Sequence, residues 1–290
     1  MTILKGFSAH TAKVNGQSIA YARGGQGPAL LLLHGFPQTH AMWHAIAPGL
    51  AERFTVIAAD LRGYGDSSKP SEVAAYSFRA MAADQTALMA QLGFEAFHLV
   101  AHDRGARTAH RLALDNTGAV QTLTLMDIIP THLLLAELNQ AVARAYYHWF
   151  FLAQPAPFPE TMIGHDPDAF YESCLLGWGS AQLDEFDGAA LAAYRTAWRQ
   201  PDTIRGMCHD YRAALEYDFA LDAADLKRQL DIPALIMYGA DGAMGKAYDV
   251  PGTWKKRLSN VTAAPIPGSH FFPDQYPQDT LSALLAFLPR

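Results

Sequence analysis

Residues 100–107 read V-A-H-D-R-G-A-R. The apolar run F-H-L-V-A-H (97–102) leads into them as a strand, and R-T-A-H-R-L-A-L-D (107–115) leaves them as a helix. A strand ending in small-x-nucleophile-x-Gly that turns at once into a helix pushes its central side chain out at a strained corner, at the carboxyl end of a sheet. Here the frame is Ala101-His102-Asp103-Arg104-Gly105. Small residues at 101 and 105 let strand and helix pack closely. The helix start then brings N–H groups and a positive dipole end to Asp103, which favours an ionised carboxylate. The plainer alternative is an Asp103 that only caps the helix.

Outward from this corner, strands and helices alternate. A-L-L-L-L-H-G-F (29–36) and T-V-I-A-A-D (55–60) are apolar runs of buried-strand length, residues 78–92 carry apolar side chains at helical spacing, and V-Q-T-L-T-L-M-D (120–127) is a further strand. That order predicts an α/β fold with a mostly parallel, doubly wound sheet. At the amino-terminal end, V-N-G-Q-S-I-A-Y-A (14–22) alternates like part of an antiparallel hairpin, with its turn expected at Gly24-Gly25-Gln26-Gly27. No Lys-Ser/Thr follows those glycines, so they do not read as a phosphate loop. Past Pro130 the texture changes to Ala, Leu and aromatics, with no buried strand until D-I-P-A-L-I-M-Y-G (231–239); V-T-A-A-P-I-P (261–267) supplies the last strand, and a helix over about 276–288 closes the chain. The reading is a core at 1–129 and 226–290 interrupted by a helical cap at 130–225.

The chain has 290 residues, half of them hydrophobic and 17% charged, with a net charge of −6. This suits a globular core and gives nucleic-acid binding little support. No run approaches the ~18 apolar residues of a membrane span. Cys174 and Cys208 are too few for a disulfide framework. The amino-terminal stretch lacks the apolar run of a signal peptide. The expectation is a soluble cytoplasmic protein with reduced thiols.

Two further motifs sit where a hydrolase of this frame needs them. His34-Gly35-Phe36-Pro37 follows a strand, in position to lend an oxyanion N–H; Gly268-Ser269-His270-Phe271 follows the last strand, where a catalytic histidine belongs. Asp60-x-Arg62-Gly63-Tyr64-Gly65-Asp66-Ser67 reads as a structural Gly-rich loop. Over nearly its whole length the chain therefore resembles the α/β-hydrolase superfamily. The elbow H-D-R-G-A-R, with H-W at 148–149 and C-H-D-Y-R at 208–212, resembles the fluoroacetate (haloacetate) dehalogenase family.

The residue types point the same way. An aspartate attacking a carbonyl would give a reactive anhydride. Attack on saturated carbon gives an alkyl ester that water can cleave. Asp103 thus implies displacement at a carbon–halogen bond or an epoxide. Haloalkane dehalogenases typically carry Trp after the nucleophile; here Arg104 follows, and Arg107 lies three residues on along the same helix face. Two guanidinium groups can grip a carboxylate through paired N–H···O bonds; the structural alternative is a salt bridge for each, with Asp103 as one partner. The substrate class this implies is a small anionic 2-haloacid. His270 would activate water, and the N–H groups of Phe36 and Arg104 would hold the oxyanion. Asp127 and Asp241 both end strands and compete to orient His270. The resemblance implies Asp127, leaving Asp241 as a loop cap. It also implies a halide pocket of His148, Trp149 and Tyr211, and a homodimer. Tyr146 and Tyr147 are assigned to packing. His102, His110, His165 and His209 show no metal-ligand spacing, and neither metal nor cofactor is implied. The rivals are an epoxide hydrolase with the same nucleophile, and a non-catalytic receptor for a small carboxylic acid.

Overall fold

The computed structural model describes residues 2–177 and 181–289. Eight strands form one sheet: β1 (Ser8–Val14), β2 (Gln17–Gly24), β3 (Ala29–Leu33), β4 (Thr55–Ala59), β5 (Phe97–His102), β6 (Val120–Met126), β7 (Leu230–Gly239) and β8 (Leu258–Ile266), in the order β1-β2-β4-β3-β5-β6-β7-β8. The β1–β2 and β2–β4 pairs are antiparallel and the other five are parallel. β3, β4 and β5 are buried at every residue, which accounts for their unbroken apolar sequence: a sheet covered on both faces has no solvent side to alternate with.

The helices that matter for the site are α1 (Phe78–Gln91), α2 (Asp103–Asp115), α3 (Tyr147–Leu152), α4 (Gly188–Trp198), α5 (Pro201–Ala213), α6 (Phe272–Gln275) and α7 (Pro277–Phe287). Between β6 and β7, from Thr131 to Ala224, every regular element among the described residues is helical. No helix among the described residues is long and apolar enough to cross a membrane.

Two local readings need correction. The hairpin turns at Asn15-Gly16, both with positive φ, which joins β1 to β2 directly. The glycines at 24–27 instead carry the chain from β2 to β3. A Cβ at Gly25 would lie 2.2 Å from the carbonyl oxygen of Phe54, and one at Gly27 2.3 Å from that of Arg53, so glycine is demanded there by close backbone approach. The elbow helix also begins at Asp103, four residues before the apolar pattern that marks it in sequence. Its first turn holds Arg104, Gly105 and Ala106, residues chosen for the corner, so periodicity does not reveal it.

Candidate active site

The parallel register sets Leu33 beside Ala101 and Ala101 beside Leu125, so β3, β5 and β6 end level with one another. The loop after β3, the corner after β5 and the residue after β6 therefore meet at one place. Asp103 sits at the corner with φ +47, and Asp127 repeats the left-handed conformation one strand over, with φ +51. Aspartate is one of the few side chains that tolerates this region, and the strain of holding it there is on the order of 1–3 kcal/mol per residue. Asp103 is not the helix cap; His102 occupies that position and makes no side-chain cap bond.

Close packing builds the corner. A Cβ on Gly105 would lie 2.3 Å from the His34 carbonyl oxygen, and one on Gly35 would lie 2.5 Å from Cβ of Asp103. That proximity lets the N–H of Phe36 donate to Oδ1 of Asp103 at 3.0 Å. Oδ2 faces Nε2 of His270 at 3.8 Å. Nδ1 of His270 is 2.6 Å from Oδ2 of Asp127, whose Oδ1 accepts the N–H of Gly239 at 3.0 Å. Asp241, the competing acid, accepts the N–H of Gly268 at 3.3 Å and caps that loop. Burial by itself would raise the Asp103 pKa, but the charges of His270, Arg104 and Arg107 outweigh it and hold the carboxyl at about 2. For His270 burial opposes the charged ring, while the bond and charge of Asp127 and the charge of Asp103 win and raise it.

Both elbow arginines are buried. Arg104 donates from Nε to Oδ2 of Asp210 at 2.9 Å and from Nη2 to the Asp210 carbonyl at 2.9 Å, and Nη2 also meets Oδ1 of Asp210. Oδ2 accepts the phenol of Tyr64 as well, at 2.6 Å. The salt-bridge alternative thus holds for two of Arg104's nitrogens, with Asp210 rather than Asp103 as partner. Nη1 has no hydrogen-bond partner among the described residues. Arg107 donates from Nη1 to the Ile129 carbonyl and to Oγ1 of Thr131, both at 3.0 Å, and its Nε has no such partner. Burial pulls Arg107 down to about 10, against the pull of Asp103; it stays charged at neutral pH.

His148 and Trp149 on α3 and Tyr211 on α5 close over the corner. Phe36 stacks on His148 (5.6 Å between centroids) and meets Tyr211 edge-on (5.1 Å), while Trp149 stands at 90° to Tyr211 at 5.2 Å. Nε1 of Trp149 and the hydroxyl of Tyr211 are buried with no hydrogen-bond partner among the described residues. Burial drives His148 well below 6.5, so its ring is neutral. Tyr146 is buried beside His148, and Tyr147 is about half exposed. The structure therefore brings Asp103, Asp127, His270, Arg104, Arg107, Phe36, His148, Trp149 and Tyr211 to one enclosed centre. The Gly-rich loop is structural as expected: Asp60 accepts from His40 and Asp66, and Arg62 makes a two-point pair with Asp84.

Sequence reasoning overlooked Asp210 and Tyr64. The available signal was charge balance: two buried arginines beside one carboxylate require another acid, and C-H-D-Y-R supplies one.

Comparison with known proteins agrees with this arrangement. The family model described as the alpha/beta hydrolase fold matches residues 28–275. A fluoroacetate dehalogenase from Burkholderia sp is 52% identical over 289 residues, covering 99% of this chain and 95% of its own. A soluble epoxide hydrolase from Corynebacterium sp. (strain C12) is 32% identical over 281 residues, covering 96% of each. Among solved structures, an α/β hydrolase from Nostoc sp PCC 7120 superposes with a TM-score of 0.96 at 46% identity, covering 98% of each chain. The chain belongs to the α/β-hydrolase family and, within it, to the fluoroacetate (haloacetate) dehalogenases.

Proposed function

We propose that this protein hydrolyses small 2-haloacids, converting haloacetate and water to glycolate, halide and a proton through an ester on Asp103. In the first step Oδ2 of Asp103 attacks the halogen-bearing carbon from the side opposite the halide. A C–O bond forms, the C–X bond breaks, and the halide leaves with the electron pair toward His148, Trp149 and Tyr211. Arg107 and the remaining Nη1 of Arg104 hold the substrate carboxylate, so that the C–X bond lies in line with Oδ2. In the second step His270 takes a proton from water, and the hydroxide adds to Cγ of Asp103. The oxyanion forms on Oδ1, the atom that already accepts the Phe36 N–H, and the Arg104 N–H completes the pair of donors. Collapse breaks the bond from Cγ to the glycolyl oxygen, which takes the proton from His270, and the proton left on the Asp103 carboxyl passes to solvent as the carboxylate returns; Asp127 holds the His270 ring in place.

The observation that carries this reading is the division of labour on one carboxylate: Oδ1 faces a backbone donor and Oδ2 faces the histidine. The same nucleophile could open an oxirane, as the name of the Corynebacterium relative indicates for that protein. Two buried guanidinium groups beside it favour an anionic substrate, because a neutral epoxide gives them no charge to meet. We further take 130–225 as a cap over a core of 1–129 and 226–290, since the buried site lies between the two. Free, buried Cys174 and Cys208 support a reducing, cytoplasmic setting. Exposed Tyr147, Phe158 and Met162 around an apolar surface cleft support a homodimer.

The test is His270→Asn incubated with haloacetate and read by intact mass. A stable glycolyl adduct on Asp103 is expected. A folded variant that binds the acid yet forms no adduct would overturn the scheme.

A further inference from the structure

Three aromatic faces surround the Arg104 guanidinium. Its central carbon lies 4.3 Å from the ring centroid of Tyr211, 4.6 Å from Phe78 and 4.7 Å from Trp149. Within its own plane it is fixed by Asp210, which is fixed in turn by Tyr64. Two of the three rings, Tyr211 and Trp149, are those whose polar ends remain without a hydrogen-bond partner among the described residues. Arg104 thus touches the halide end of the proposed site as well as the carboxylate end.

We propose that Asp210 is a positioning residue for halide release. It locks Arg104 against the faces of Trp149 and Tyr211, where the cation strengthens both rings as donors to the leaving halide. This rests on the dehalogenase reading above. A cation over an aromatic face attracts its π electrons. Density drawn toward the guanidinium is withdrawn from Nε1–H and Oη–H, and linked polar groups in a dry interior polarise one another in this way. In Asp210→Asn the guanidinium loses the negative charge paired with Nε and Nη2 and keeps only the main-chain carbonyl and a neutral amide oxygen as acceptors. The Arg104 charge already acts on its chain neighbour Asp103, so the freed cation would turn toward that carboxylate and leave the rings. The dependence on donor strength is greatest for fluoride, the hardest acceptor among the halides, and least for bromide.

The test is kcat/KM for fluoro-, chloro- and bromoacetate in the unsubstituted protein, Asp210→Asn and Tyr64→Phe. This quantity ends at halide displacement, so slow ester hydrolysis does not mask it. The ratio is taken between the hardest and softest halide that the unsubstituted protein turns over. Asp210→Asn is expected to lower that ratio by about tenfold, the worth of a weakened charge-assisted hydrogen bond. Tyr64→Phe, which keeps the ring and removes only the bond to Asp210, should lower it in the same direction by a smaller factor. Equal losses on all three acids would overturn the proposal, because a residue that serves only folding or the carboxylate grip has no reason to discriminate between halides. Should Asp210→Asn fail to fold, Tyr64→Phe decides by the same ratio, and an unchanged ratio overturns the proposal. A protein inert toward all three acids would overturn the dehalogenase reading and this inference with it. Turnover with unshifted ratios in the variants overturns the inference alone.

Discussion

Nδ1 of His270 lies 2.6 Å from Oδ2 of Asp127, a residue held in left-handed backbone at the end of the strand beside the elbow. The contact fixes the ring so that Nε2 faces Asp103. Asp127→Asn should therefore spare the displacement step and slow ester hydrolysis, by up to about 10⁴-fold if the ring settles in the wrong tautomer. Rapid-quench mass analysis would show the ester accumulating. Asp241→Asn, which alters only a loop cap, should keep turnover within a few-fold.

Nε of Arg107 has no hydrogen-bond partner among the described residues, while Nη1 is tied to Ile129 and Thr131. Arg107→Leu should lower kcat/KM for haloacids by about 10–150-fold, the worth of one charge-assisted bond. Halide-release assays would measure this, with a thermal melt to establish that the variant folds. Full activity would remove the assignment of Arg107 to the substrate carboxylate.

The two steps should separate with pH. Asp103 has its folded pKa depressed to about 2, so it is ionised throughout ordinary buffers and displacement should be flat from about pH 4 upward. His270 has its pKa raised and must be neutral to act as a base. Ester hydrolysis is therefore lost as pH falls through that raised value, and ester should build up at pH 5 relative to pH 8 in single-turnover experiments. Forming the ester also removes the Asp103 charge, one of the influences that raises His270. The kinetic limb should then lie below the pKa of the ring measured by NMR in the resting protein.

Asp274 gives the opposite dependence in stability. Its Oδ2 accepts the Gln38 amide, which also reaches Tyr194 on α4, while Oδ1 has no hydrogen-bond partner among the described residues. Burial raises this carboxyl to about 7. Because the folded pKa lies above the unfolded one, the stability linked to its proton is fully present below the unfolded value near 3.8 and is lost as pH rises through about 7. Asp274→Asn should raise Tm at pH 8, by about 2–4 °C for each kcal/mol recovered, and change it little at pH 4. Scanning calorimetry at both pH values would check this.

Glycine at 35 is required by distance. A Cβ there would lie 2.9 Å from Oδ1 of Asp103 as well as 2.5 Å from its Cβ. Gly35→Ala should displace the Asp103 carboxylate, cost about 1–3 kcal/mol of stability and reduce turnover far more than that loss explains. Urea unfolding set against kcat would separate the two effects.

Much of the fold was legible because buried parallel strands announce themselves as unbroken apolar runs: Leu30–Leu33, Val56–Ala59 and Leu99–Ala101 are visible without any structure. What periodicity could not show lies where backbone geometry overrides it. Asn15-Gly16 makes the tight turn, whereas the more conspicuous Gly24–Gly27 is a crossing. The first turn of α2 carries no apolar stripe because its residues serve the corner. The placement of Asp103, His270 and the Phe36 loop followed from motifs bound to strand ends. Asp210 is a different case. Its contact with Arg104 spans 106 residues of chain, and a long-range ion pair leaves no local pattern, only a surplus of positive charge to be neutralised.

Asp103 and Asp127 adopt the same left-handed turn at the ends of adjacent parallel strands. Their separation is therefore inherited from the spacing of neighbouring chains in the sheet, about 4.8 Å. Reach across this centre is set by main-chain architecture, with little slack left to rotamers. Lengthening either carboxylate arm by one methylene, as glutamate would, cannot be absorbed by a shift of its anchor. The spacing of these two carboxylates is in this sense a lattice constant of the sheet.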